Sequence, residues 1–173
     1  GDLADTARHR ETAREAVAFE ASQFDPDRQN WRSEIQGTTF PDRWCRGRSG
    51  ILLARDEIAD RLGESPGVAD HRRVAEQVAA NPPSERDHLC CGTLGRAETL
   101  LAVSDGDDRW QAAAQRLVAA PLARREQTGG FALQRGHGPH DPNPTLFDGL
   151  AGVTYACLRA TAPTALPCVA RLE

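Results

Sequence analysis

The chain has 173 residues, of which 39% are hydrophobic, 27% charged and only 5% aromatic, and its formal net charge is -4. That composition belongs to an ordinary soluble globular chain of one-domain size. No apolar run reaches the roughly 18 residues of a membrane span, and the basic residues, all arginine, are scattered; a membrane span is excluded and nucleic acid is not an expected partner.

The chain opens Gly1-Asp2-Leu3-Ala4, contains no methionine and shows no signal-peptide pattern, so the expectation is a processed product or part of a longer protein. Leu3 to Ser22 reads as an amphipathic helix, charged on one side with Leu3, Ala7, Ala16, Val17 and Phe19 toward the other. A long connection, Gln23 to Trp44, follows. Trp44-Cys45-Arg46-Gly47-x-x-Gly50 then leads into an apolar helix beginning Ile51-Leu52-Leu53. Val68 to Ala80 predicts a second amphipathic helix, and Leu89-Cys90-Cys91-Gly92-x-x-Gly95 leads into a second apolar one, Leu94 to Val103. Asp107 to Gln127 predicts a third amphipathic helix through Trp110, Ala113, Ala114, Leu117 and Val118. Thr128 to Asp148 is a second long connection, and Gly149-x-x-Gly152 opens a third apolar helix. Connections of that length more often serve function than simple linkage.

The three Gly-x-x-Gly turns begin 45 and 57 residues apart, within reach of the period of a helical-pair array. The first glycine permits a tight turn into the helix, and the second lets another backbone approach the helix start. The expected fold is therefore all-α: three pairs of an outer, exposed-faced helix and an inner, apolar one, with the inner N-termini at one end.

Five cysteines, two of them adjacent, with no secretory signal argue against a disulfide framework and for a reducing, cytoplasmic compartment. Cys157, in an apolar run, and Cys168, after Pro167, read as packing residues. Cys45, Cys90 and Cys91 each precede a helix N-terminus, where the macrodipole favours thiolate and suits a ligand or nucleophile. Their spacing is not that of a zinc finger, and on spacing alone a pair of buried thiols and a metal site stand equally open. Convergence of the inner N-termini favours the metal. His71 and His88 read as surface and loop residues. His137, His140 and Asp141, in a Gly/Pro-rich tract, read as solvated, with a second-metal or general-acid role as the competing reading and His140 as the catalytic candidate among them.

Trp44-Cys45-x-Gly47-x-x-Gly50-Ile51, Leu89-Cys90-Cys91-Gly92-x-x-Gly95 and Leu146-Phe147-x-Gly149-Leu150-Ala151-Gly152-Val153-x-Tyr155, closed by Leu158-Arg159 and Pro167-Cys168-Val169-Ala170-Arg171-Leu172-Glu173, resemble the lanthionine synthetase cyclase family. The ending is most similar to the cyclase domain of class II bifunctional lanthipeptide synthetases. The resemblance implies an α/α toroid, a ring of helical hairpins whose inner-helix starts surround a zinc ion. It assigns Cys45, Cys90 and Cys91 as the zinc ligands, with Cys91 where many members have histidine, as in a Cys-Cys-Gly subset. It implies an enzyme that adds peptide cysteine thiolates to dehydroalanine or dehydrobutyrine in a dehydrated precursor peptide, forming thioether rings. Three thiolate ligands should make the bound substrate thiolate more nucleophilic than two and an imidazole would, so ring closure is expected to be faster and less discriminating. Arg46 stands where many class II members have histidine, and is a candidate for stabilising enolate charge. Arg48-Ser49 replaces a usual Ala-Pro.

The family's proton-transfer histidine and aspartate lie upstream of the Trp-Cys-x-Gly motif, and nothing here matches them; His9 has no glycine turn before it. Residues 1–173 are thus expected to be the C-terminal portion of a cyclase domain, about three hairpins, with weak or no cyclisation alone and an apolar flank where the next hairpin packs. The missing N-terminal part and a dehydratase domain are the implied partners. Two alternatives stay open: a zinc- and thiol-binding module without peptide-modifying activity, and a structural hairpin domain without metal.

Overall fold

The computed structural model describes residues 3–34, 37–62, 70–133 and 143–171. Its helices are α1 Leu3–Ala21, α2 Arg48–Leu62, α3 His71–Ala80, α4 Thr93–Ala102, α5 Asp108–Thr128 and α6 Leu150–Thr161, closed by a 3₁₀ turn, Val169–Arg171. The all-α expectation holds, with outer helices α1, α3 and α5 alternating with inner helices α2, α4 and α6. The expected start of α3 at Val68 falls outside the described residues; from Asp70 on, the carboxylate accepts the backbone N–H groups of Arg72 and Arg73 and caps the helix. Asp107 caps α5 in the same way, and Gly129, at φ 81°, ends it in the left-handed region.

The sequence did not announce one element. Within the Gln23 to Trp44 connection, β1 Phe24–Asp25 pairs antiparallel with β2 Asn30–Trp31, Phe24 opposite Trp31. Two forces hold so short a ladder. The Asp25 carboxylate accepts the N–H groups of Asp27 and Arg28 to make the turn, and the Phe24 and Trp31 rings pack 4.8 Å apart as Trp31 enters the core.

Helix α4 is the hub. Every residue from Thr93 to Leu101 is buried, because α2, α3, α5 and α6 all pack against it. Its apolar positions Leu94, Ala97 and Leu100 meet Val74 and Val78 of α3, Trp110, Ala114 and Leu117 of α5, and Val153 and Ala156 of α6 in one core. Its buried polar residues work as ties. Arg96 donates to the carbonyls of Val78, Asn81 and Pro82, satisfying the C-terminal end of α3. Glu98 meets Arg159 of α6 at 2.9 Å, and Arg159 in turn donates to the Leu166 carbonyl. The C-terminal 3₁₀ turn is fixed by Arg171, which pairs with Asp56 and Glu57 of α2, and by Trp44 Nε1, which donates to the Ala170 carbonyl at 2.8 Å. Helix α1 joins α2 through the Arg55–Glu20 ion pair. At the two ends of the row, Phe19 of α1 and Leu150 and Leu158 of α6 leave apolar surface exposed.

Candidate metal centre

Each inner helix is approached by a loop of the same design. The N–H of the residue after the first glycine donates to a carbonyl seven residues back: Arg48 to Pro41, Thr93 to Arg86, Leu150 to Asn143. The second glycine of each turn lies in the first turn of its helix and faces a loop carbonyl. A Cβ at Gly50, Gly95 or Gly152 would stand 1.8, 2.0 or 1.8 Å from the carbonyl oxygen of Trp44, Leu89 or Leu146 respectively. No side chain fits there. The close approach anticipated from the sequence is real, but the approaching backbone is the helix's own lead-in loop rather than another helix.

The three loops are also joined to one another. Cys45 N–H donates to the Cys90 carbonyl at 3.3 Å, and Cys90 N–H donates to the Phe147 carbonyl at 2.9 Å. The Trp44 and Phe147 rings stack at 4.8 Å, 11° from parallel. Equivalent positions in successive loops thus lie side by side, and Cys45, Cys90 and Phe147 are equivalent.

This arrangement brings together the three cysteines singled out by sequence. Cys45 Sγ is 3.2 Å from Cys91 Sγ, Cys91 Sγ is 3.5 Å from Cys90 Sγ, and all three sulfurs lie within 4.8 Å of one another. Thiolates on a tetrahedral zinc, with bonds of about 2.3 Å, stand about 3.8 Å apart. The donor set therefore has the geometry and the chemistry to hold such an ion. Cys45 is exposed and the other two are half-buried, so the cluster opens to solvent on one side.

Cys45 and Cys90 are raised, not lowered as their helix-terminal positions led the sequence to suggest. Burial raises Cys90 well above an ordinary thiol, and its cysteine neighbours raise it further. Cys45 is also raised, first by burial and next by Cys91, while Arg43 draws it down. At these two positions burial, with the neighbouring sulfurs second, outweighs the helix dipole. A bound cation favours thiolate instead, which couples metal binding to proton release.

His88 lies in a loop, as expected, but is buried there, with 1% of its area exposed. Its Nδ1 faces the Cys91 N–H at 3.4 Å and lies 3.6 Å from Asp148 Oδ1. Burial lowers its basicity, with Asp148 opposing. Neither residue was singled out by sequence as part of the site. Superimposing the three loop motifs would have found Asp148, because it occupies the position of Arg46 and Cys91.

Arg46 lines a groove that adjoins Cys91. His140, with His137 and Asp141, lies outside the described residues. Cys157 is half-buried and Cys168 buried beside Glu98, away from the cluster, in keeping with packing roles. His71 begins α3 at the protein's periphery. No described helix is long and apolar enough to cross a membrane.

Residues 2–170 match the family model described as "Lanthionine synthetase C-like protein". No curated protein matches the chain.

Proposed function

The chain belongs to the lanthionine synthetase C-like family, and from that premise we propose that Cys45, Cys90 and Cys91 hold zinc in the service of thioether ring closure on a dehydrated ribosomal peptide. The observation that carries the reading is the convergence of three sulfurs from two successive lead-in loops within 4.8 Å. Three protein ligands leave one tetrahedral position for a substrate cysteine. When bound, zinc supplies the positive charge that keeps a thiol ionised at neutral pH.

The chain's own contribution is preorganisation. Backbone hydrogen bonds fix the loops to one another before any ligand arrives, so the sulfurs need little rearrangement. The substrate thiolate forms a carbon–sulfur bond at the β-carbon of dehydroalanine or dehydrobutyrine, the π electrons pass to the enolate, and a proton completes the α-carbon. Arg46, on the groove beside Cys91, is the proposed stabiliser of enolate charge. The proton donor is assigned to hairpins upstream of the three present, and a dehydratase domain to the same pathway. Exposed Phe19, Leu150 and Leu158 fit further hairpins packing on both ends of the row. A reducing cytoplasm suits free thiols.

The test is a ring-closure assay on a dehydrated, cysteine-containing precursor peptide, counting free thiols by alkylation and mass spectrometry. The zinc-loaded chain alone should close few or no rings, and adding separately produced upstream hairpins should restore closure. Cys90→Ala should abolish the restored activity. Closure by Cys90→Ala at the wild-type rate would sink the metal assignment, and efficient closure by the chain alone would sink the division of labour. Thiol-peptide binding with no closure in the restored protein would instead favour the binding-module reading.

A further inference from the structure

The groove beside the sulfurs carries more charge than the single arginine assigned to the enolate: Arg43 and Arg86 line it together with Arg46. It encloses about 660 Å³ between the stretch from Thr39 to Arg46 and the stretch from Asn81 to Arg86, with Cys91 in its lining. Two carboxylates border it. Asp42 is fully engaged: it accepts from Ser49 at 3.0 Å and Asn81 at 2.7 Å and faces Arg48 and Arg96 at 3.7 and 3.5 Å. Glu85 is exposed to solvent.

Arginine pairing across the protein makes the groove unusual. Among the described residues, the arginines sheltered from solvent are Arg48, Arg55, Arg96, Arg124, Arg159 and Arg171, each facing a carboxylate, together with Arg43, Arg46 and Arg86. These last three make no salt bridge within the described residues, and all three line this groove. Partly desolvating a guanidinium without an anion is unfavourable, and the fold tolerates it three times at one place.

We propose that the groove is an anion subsite that takes a carboxylate of the substrate peptide, an Asp or Glu close in sequence to the cysteine being joined. This rests on the ring-closing reading for the nature of the ligand. Guanidinium forks receive a carboxylate through paired N–H donors, and Cys91 at the groove wall places the acidic residue and the reacting thiol on one short stretch of chain. The ring-forming cysteines favoured by this protein are then those with an acidic neighbour.

The test uses fluorescein-labelled octapeptides whose single cysteine is flanked on both sides by Asp or by Asn, each also made with Ser for Cys. Binding to the zinc-loaded chain is read by anisotropy. At low salt the Asp peptide should bind about tenfold more tightly than the Asn peptide, and the preference should shrink toward parity at high salt. In the Arg43→Gln/Arg86→Gln double variant, with zinc content unchanged, it should fall to within about twofold. Equal binding of the Asp and Asn peptides to the wild-type chain at low salt would overturn the subsite, as would a preference that survives in the double variant. The Ser peptides separate the two readings: an Asp preference retained with no advantage of Cys over Ser upholds the subsite and sinks the cyclase reading.

Discussion

Glu98 sits at the centre of α4 with none of its area exposed, 2.9 Å from Arg159. Burial pushes its carboxyl from an ordinary 4.5 up to about 7, with the nearby Arg159 pulling the other way. The folded state therefore prefers Glu98 protonated. Below the unfolded value the two states bind the same proton and no stability is lost; as pH rises through the window from 4.5 to about 7 the unfolded chain releases its proton first, and stability falls. At about 1.4 kcal/mol per tenfold, the loss approaches about 3 kcal/mol above neutral pH, most of it between pH 5 and 8. Glu98→Gln keeps the shape and mimics the protonated acid. It should match the wild type near pH 4 and exceed it by about 3 kcal/mol at pH 8. Urea unfolding followed by tryptophan fluorescence across this range gives both curves. Asp87, also raised by burial, acts in the same direction as Glu98, and His88, lowered by burial, acts in the opposite one; both cancel in the difference between the two proteins. Parallel curves, with the variant no more stable at pH 8 than at pH 4 relative to wild type, would refute the reasoning.

Zinc content should fall from about one ion per chain to near zero in Cys90→Ala and stay unchanged in Cys157→Ala, measured by elemental analysis of metal-loaded protein. Because Cys45 and Cys90 are raised, zinc must displace their protons, so apparent affinity in a chelator competition should climb steeply with pH; a flat profile would contradict the ligand set. Gly95→Ala would place a Cβ 2.0 Å from the Leu89 carbonyl oxygen. It should cost about 2 to 4 kcal/mol, read as a lowered melting temperature, and weaken zinc binding by displacing the Leu89 to Cys91 loop.

The helical pairs were legible because their signals are local: apolar periodicity for each helix, and a glycine pair that repeats where a carbonyl must come close. The cysteine cluster was legible for a related reason, since Cys45, Cys90 and Cys91 are bound in sequence to those glycine turns. What could not be read was set by partners distant in the chain. His88 is the loop histidine it looks like, but its burial and its contact with Asp148 depend on a segment sixty residues on. The strands at Phe24 and Trp31 are too short for any periodicity, and burial of the two rings makes them. Arg96, Arg159 and Arg171 gave no hint of their roles, because the carbonyls and carboxylates they serve come from other helices or the C-terminal tail. The expectation of ionised thiols at the helix starts treated each cysteine singly, and burial of Cys45 and Cys90, with their sulfur neighbours second, reversed it there.

The equivalence of Phe147 to Cys45 and Cys90 has a consequence for how many sulfurs the site contains. The backbone bonds from Cys45 to Cys90 and from Cys90 to Phe147 do not depend on the side chains, so one scaffold carries a thiol at two of these positions and a ring at the third. A phenylalanine ring carries no ligand atom, so the third loop adds an aromatic contact to the scaffold where the first two add sulfurs. By placing phenylalanine at the third position and stacking it on Trp44, the protein keeps its cluster one ligand short.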